Sequence, residues 1–263
     1  MNLFKTPNRI IVTCSNRLSP YLQQEVNDLG FTPQRVFKTG VELWGDINDC
    51  IKLNIHLRCA SQVLYSLKTF KAFNANDLYN ELVKIEWEKI IPSGAYFSIS
   101  SNVTNETITN NLFANVKVKD AIADRFRNKT GERPDSGPEL NGVVIHLYWK
   151  EDYAEVFIDT SGETLSKHGY RKIPGKAPML ESLAASNLLA LKWDRKSVFI
   201  NPMCGSGTIA IEAAMLATNR KPGLYRSNYS FMHLCEYDEQ EYEKCYKEME
   251  SQVITNSEVK IIA

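Results

Sequence analysis

The sequence predicts an α+β region followed by the opening of a doubly wound α/β domain, and three observations carry that prediction. Short β-branched runs alternate with amphipathic helical stretches as far as Ser161. The segment Gly162 to Lys176, rich in glycine and lysine, has little hydrophobic pattern and reads as a linker. Beyond it a strand, a glycine loop and a strongly apolar helix follow one another directly. With 263 residues, 43% hydrophobic and 24% charged, the chain suits two medium globular domains and excludes a disordered or fibrous protein.

Each element has its own signal. Arg9 to Cys14 is a β-branched run, and Ser19 before Pro20 offers an N-cap with proline at the first helical position. Leu22, Val26 and Leu29 then recur at helical spacing until Gly30 stops the helix. Val41 to Trp44 reads as a strand. Asp46 caps a helix whose stripe is Ile47, Cys50, Ile51 and Ile55. Val63, Tyr65 and Leu67 alternate as a strand does. A helix from Asn76, a strand at Tyr96 to Ser101 and a long helix over Leu112 to Lys129 follow. Val143 to Trp149 and Tyr153 to Asp159 form two strands joined by Lys150-Glu151-Asp152. Past the linker, Leu180 to Leu191 is a helix, Ser197 to Ile200 a strand of buried type, and Thr208 to Ala217 an apolar helix. The acidic run Cys235 to Glu250 reads as a solvated helix, and Val259 to Ala263 as a second parallel strand. Trp44, Trp87, Trp149 and Trp193 are assigned to the core.

A formal net charge of +0 argues against a binder that works by bulk attraction, yet the charges are segregated. Lys117, Lys119, Arg125, Arg127, Lys129 and Arg133 form one basic group, and Lys167, His168, Arg171, Lys172 and Lys176 a second. Such clusters fit a phosphate-contacting face, or equally a solvated surface balanced by its neighbours. Tyr170 is either a stacking platform for an unpaired base or ordinary packing. The six cysteines contain no C-x-x-C pair, so neither a zinc ribbon nor a redox motif is written, and reduced cytoplasmic thiols are expected. His56, His146, His168 and His233 lack metal spacing, and no metal site is assigned. Met1 to Pro7 lacks the apolar stretch of a secretory signal.

The richest local signal is Val198 to Ala214, where Gly205 and Gly207 stand between strand and helix. Glycine lets a ligand approach the backbone, and the N–H groups of the following helix suit a carboxylate or phosphate. No lysine follows Gly207, which excludes a Walker A loop, and Ala210 stands where the dinucleotide fingerprint has its third glycine. A plain two-glycine turn stays open as an alternative.

The stretch Asn201-Pro202-Met203-Cys204-Gly205-Ser206-Gly207-Thr208, with Ile211-Glu212-Ala213-Ala214, resembles the cofactor motif of bacterial RNA methyltransferases that carry a THUMP domain, the group containing the large-subunit ribosomal RNA guanine-N2 methyltransferases. Ile158-Asp159-Thr160-Ser161-Gly162-Glu163, with Leu165, Lys167, Gly169-Tyr170-Arg171 and Ala177-Pro178, resembles that family's junction between its two main domains. The resemblance implies a ferredoxin-like lobe over residues 1–47, a THUMP RNA-binding domain over 48–161, and the N-terminal part of a Rossmann-like methyltransferase domain over 162–263. It implies S-adenosylmethionine as cofactor, with Gly205, Ser206 and Gly207 cradling its methionine end and Asn201, Pro202, Cys204 and Thr208 lining the turn. Ala177, Pro178 and Met179 would close the pocket from the preceding helix.

The same resemblance implies methyl transfer to an exocyclic amine, guanine N2, of ribosomal RNA rather than transfer RNA, with the two basic groups as RNA contacts. Asn201 departs from the aspartate usual in the family and gives up a negative charge that favours a cationic cofactor. The family's Asn/Asp-Pro-Pro-Tyr motif does not occur, so no catalytic residue is assigned, and the acid that should hold the cofactor ribose would follow Ala263. The expectation is therefore a truncated methyltransferase, inactive alone. A noncatalytic RNA-binding module and an adenine-specific DNA methyltransferase are the alternatives, with an NAD-dependent oxidoreductase a distant third.

Overall fold

A computed structural model of the chain describes residues 4–106, 108, 110–173 and 177–263. In chain order its elements are β1 (Asn8–Thr13), α1 (Ser19–Asp28), β2 (Arg35–Phe37), β3 (Gly40–Gly45), α2 (Ile47–His56), β4 (Gln62–Lys71), α3 (Ala75–Leu82), β5 (Tyr96–Thr104), α4 (Asn111–Thr130), β6 (Asp135–Ser136), β7 (Val143–Lys150), β8 (Tyr153–Asp159), α5 (Glu181–Ala190), β9 (Phe199–Ile200), α6 (Thr208–Ala217), α7 (Glu239–Ser251) and β10 (Ile261–Ile262). They sort into two compact units. One comprises the described residues of 4–8, 64–163 and 228–238, the other those of 9–63, 164–227 and 239–263.

In the first unit the strand order is β4-β8-β7-β5-β6. The β7–β8 hairpin turns tightly through Glu151, whose φ is 52°, and β7 pairs in parallel with β5. Helix α4 lays Val118, Ala121, Ile122 and Phe126 into the core, and Gly131 ends it in the left-handed conformation at φ 77°. Trp87 and Trp149 are fully buried, each satisfying its indole N–H on a carbonyl, Leu82 O at 2.9 Å and Ala72 O at 3.1 Å. Trp44, assigned to the core on pattern, is 56% exposed instead, because it alternates outward on β3 between the buried Leu43 and Gly45.

The second unit holds strands β2-β3-β1 in that order, with α1 and α2, and the parallel pair β9/β10 with α5, α6 and α7. Asp46 closes a reciprocal capping box on α2, accepting from Asn48 N at 2.8 Å and Asp49 N at 3.1 Å while Asp49 accepts from Asp46 N at 2.9 Å. At α1 the expected cap is displaced: Leu18 is the N-cap, without a side-chain bond, and Ser19 is already helical ahead of Pro20. Leu188, Ala213 and Leu216 form a core that receives Trp193, Phe199, Ile209 and Ile261.

Two further expectations change here. The strand expected over Ser197 to Ile200 shortens to two residues, with Val198 and Ile200 54% and 62% exposed, since among the described residues β9 pairs with β10 alone. The first part of the stretch read as a linker is packed: Leu165 and His168 are buried, Leu165 N donates to Ser61 O at 2.9 Å, and the hydroxyls of Ser61 and Ser166 meet at 2.9 Å, while Lys172 and Ile173 are exposed and residues 174–176 lie outside the described residues. The hydrophobic pattern missed this because polar residues with internal partners do the packing. Among the described residues no helix is long and apolar enough to cross a membrane.

Candidate functional site

The glycine turn sits at the tip of β9. Phe199 N donates to Lys260 O at 3.0 Å and Asn201 N to Ile262 O at 2.8 Å, so the strand pairing continues into the turn's first residue. Gly205 and Gly207 both adopt left-handed φ, 54° and 77°, which a side chain would strain. The turn closes with Gly207 N donating to Cys204 O at 2.8 Å, and Gly207 caps α6 without any side-chain bond. The N–H groups of the first turn of α6 thus keep the positive end of the helix available for an anionic group. A Cβ placed on Gly205 would meet nothing within 4 Å, so the backbone faces open space. Asn201 lies below the turn, 9% exposed, with its side-chain amide nitrogen lacking a hydrogen-bond partner among the described residues.

Arg171 locks the turn from the side. Its Nη1 donates to Ser206 Oγ at 3.1 Å and Nη2 to Thr208 Oγ1 at 3.0 Å and Met179 O at 3.0 Å, while Nε donates to Glu181 Oε1 at 2.9 Å. The planar fork suits four acceptors held at fixed angles. Ala177, Pro178 and Met179 are exposed and precede α5, which starts only at Glu181.

One turn further along α6, Glu212 is wholly buried in a cluster of charge. His168 Nδ1 contacts Glu212 Oε1 at 2.7 Å and His168 Nε2 contacts Arg58 O at 2.9 Å, so each ring nitrogen faces an oxygen. The Arg58 guanidinium lies 3.9 Å from Glu212 Oε2, both side chains at most 2% exposed. Burial pushes Arg58 down from its ordinary range, and Glu212 and Glu25 pull it back. Tyr170 stacks edge-on against His168 and Tyr225, and burial together with Glu212 pushes its phenol well up.

Comparison with known proteins settles what this arrangement belongs to. The model of the RMKL-like methyltransferase domain matches residues 168–262, that of the RlmL ferredoxin-like domain residues 9–64, and that of the THUMP domain residues 72–159. The chain belongs to the THUMP-containing methyltransferase family. Among solved structures, SMU.472, a methyltransferase complexed with SAH, superposes with a TM-score of 0.86 at 27% identity, covering 98% of this chain and 68% of that one. A predicted N6-adenine-specific DNA methylase from Listeria monocytogenes gives 0.86 at 28% identity, covering 97% and 67%. TrmN from Thermus thermophilus, at 17% identity and a TM-score of 0.58, covers 80% and 62% and shares the fold.

In this THUMP methyltransferase the basic residues expected to meet RNA fall into different settings. On and after α4, Arg125 is paired with Glu88, Arg127 contacts Asp124 at 2.9 Å, Lys119 donates to Ser136 O at 3.2 Å, and Lys117 sits 5.7 Å over the ring of Phe113. Lys129 and Arg133 are exposed, as are Lys167 and Lys172; Lys176 lies outside the described residues. His168, grouped by sequence with the outer cations, is fully buried and belongs to the Glu212 cluster. Sequence reasoning missed Arg58, Glu25 and Glu212 as a network; the one available signal was a glutamate inside an otherwise apolar helix, Ile-Glu-Ala-Ala.

Proposed function

We propose that the chain serves an S-adenosylmethionine-dependent RNA methyltransferase acting on an exocyclic base amine, guanine N2 of ribosomal RNA, and that its glycine turn holds the methionine end of the cofactor. The single observation that carries the reading is the turn itself: two left-handed glycines, open space in front of Gly205 and an uncapped helix N-terminus at the end of a parallel strand. These residues fit the group. Gly205, Ser206 and Gly207 would pass closest to it, the N–H groups of α6 would receive its carboxylate, and the unpartnered amide of Asn201 would take a further polar atom. Pro202, Cys204 and Thr208 shape the turn, and Ala177, Pro178 and Met179 border it through the Met179 carbonyl that Arg171 holds. Bound, the cofactor supplies an electrophilic methyl group; the chain's part is to bind and orient it.

RNA as the substrate class rests on the THUMP match and on the exposed cations Lys129, Arg133, Lys167 and Lys172. Lys117, Lys119, Arg125, Arg127 and Arg171 have partners within the protein and would contribute to the surrounding field or exchange partners on binding. A second reading, adenine methylation of DNA, is favoured by the name of the Listeria structure. Transfer of tritiated methyl from S-adenosylmethionine to ribosomal RNA, transfer RNA and duplex DNA, by the protein as its gene encodes it, separates the two. Label in ribosomal RNA guanine is the expected result. Label confined to DNA adenine overturns it, and cofactor binding with no transfer to any nucleic acid favours a noncatalytic RNA-binding module.

A further inference from the structure

Helices α1 and α2 pack against β3, whose Val41 and Leu43 are buried at no more than 1% exposure. Strand alternation turns Glu42 and Trp44 to the other face of the sheet. The β2–β3 register adds Arg35, opposite Glu42, and Phe37, opposite Gly40, because residues paired directly in an antiparallel ladder share one side. Phe37 Cε2 lies 3.0 Å from where a Cβ on Gly40 would stand, so its ring leans over β3 instead of out past the sheet edge. Arg9 joins from β1, Nη2 donating to Glu42 Oε2 at 3.0 Å. Gly40 and Trp44 stand about 13 Å apart along β3, so two aromatic surfaces flank a charged group.

A single exposed apolar side chain is normal on a protein surface, but Trp44, at 56% exposure, is set among cations. Residues 9–17 and 35–45, which hold the three strands and their nearest turns, carry Arg9, Arg17, Arg35 and Lys38 against Glu42 alone. Glu42 is taken up by Arg9, whereas the exposed side chains of Arg17, Arg35 and Lys38 have no partner among the described residues. Arg17 and Lys38 meet at the hairpin turn beside Phe37, Arg17 N donating to Lys38 O at 3.2 Å. Outward aromatics in a strip of free cations suit an unpaired nucleic-acid strand, whose phosphates the cations attract and whose bases the rings accept. In a duplex the bases already stack on one another. An apolar protein partner would gain from Trp44 but would have to desolvate cations that have no counter-charge.

We infer that the outward face of the β2-β3-β1 sheet binds an unpaired RNA segment, with a base stacked on Trp44 and neighbouring phosphates on Arg35 and Lys38, an inference that rests on RNA as the substrate class and adds which face grips its single-stranded part.

The test is fluorescence anisotropy of the intact chain with a labelled RNA single strand of mixed sequence and with an RNA duplex of equal length, repeated on Trp44→Leu, Trp44→Phe, Arg35→Met and, as a cation on α7 outside these strands, Lys247→Met. Trp44 is exposed, so its variants are expected to fold, which circular dichroism and the thermal midpoint establish. The parent should bind the single strand more tightly than the duplex, and Trp44→Leu should weaken single-strand binding on the order of tenfold. Trp44→Phe, which keeps a ring to stack on, should recover most of that loss. Arg35→Met should lower the slope of log affinity against log salt by about 0.7, and Lys247→Met should leave single-strand affinity unchanged. A folded Trp44→Leu with parental affinity, or a parent that prefers the duplex, overturns the inference while RNA stands as the substrate class; a parent that binds no RNA overturns both. Self-association of the parent that Trp44→Leu abolishes, followed by sedimentation, would give the face to a second copy and overturn it equally. Should Trp44→Leu not fold, indole emission decides: quenching by the single strand in the parent that is lost in Trp44→Phe supports stacking on Trp44, and equal quenching in both overturns it.

Discussion

Helix α6 presents two opposite environments within one turn of each other. At its start the glycine turn is open, uncapped and free of side chains on the face that a ligand would meet. At Glu212 it is clamped into a cluster from which solvent is excluded, with His168 and Arg58 facing the carboxylate. The difference teaches how a site stays both accessible and precise: the donors that wait for a ligand gain their fixed position from a charge network buried on the same helix. The largest effect should therefore come from the buried end. Removing the carboxylate in Glu212→Ala leaves Arg58 and His168 without their partner and is expected to cost about 3–5 kcal/mol in urea unfolding followed by circular dichroism. The double variant Arg58→Met/Glu212→Met should recover much of that loss. Equal destabilisation by single and double variants would show that α6 is held by its apolar contacts alone.

At the open end the same size of perturbation should move binding and spare the fold. Gly207→Ala forces a side chain into φ 77° where its Cβ has room, the nearest atom being Ile211 Cδ1 at 3.9 Å. The strain is confined to the backbone and amounts to about 1–2 kcal/mol. Because the turn relaxes to relieve it, S-adenosylmethionine should bind on the order of tenfold more weakly by titration calorimetry. A loss of stability matching that of Glu212→Ala would erase the distinction between the two ends.

Arg171 braces the open end from the side, and its replacement should give an intermediate result. Lysine keeps the charge but presents a single ammonium where the guanidinium reaches Glu181, Ser206, Thr208 and Met179 together. Arg171→Lys should cost about 1–2 kcal/mol. Amide exchange should quicken at Met203 to Gly207 while the amides of Ala213 to Ala217 keep their protection. Uniform acceleration along α6 would place Arg171 in the general core instead.

Sequence made the glycine turn legible and left the buried end hidden, for a physical reason. Gly205, Gly207 and the strand-to-helix order are local signals, since backbone conformation and neighbouring residues alone determine them. The periodic helices around Val26, Ile51 and Val118 were legible on the same ground. Arg58 and Glu212 stand 154 positions apart, by subtraction of their numbers, and nothing in either neighbourhood announces the other. His168 and Arg171 read as surface cations because charge counting assumes exposure, whereas partners supplied by other segments allow His168 to be fully buried and Arg171 half-buried. The strand at Phe199 was legible as a strand, but its exposure depends on which neighbours flank it.

The smallest and most discriminating change lies at the floor of the turn. Asn201 holds an amide nitrogen without a partner among the described residues where its relatives are expected to carry aspartate, so the position has a donor to spare and is one charge short of that pattern. Asn201→Asp keeps shape and side-chain oxygen while introducing a negative charge near the place proposed for the sulfonium. Coulomb attraction screened at an effective dielectric of about 20 yields on the order of 1 kcal/mol or less at that range, a few-fold in affinity. The gain depends on the ligand's positive charge, so S-adenosylmethionine should tighten while S-adenosylhomocysteine, whose sulfur is neutral, should not. A carboxylate repelled by the ligand's own carboxylate would weaken both alike. The ratio of the two affinities, measured on one variant, thus reports which end of the ligand rests over Asn201, independent of any cost the buried charge imposes on the fold.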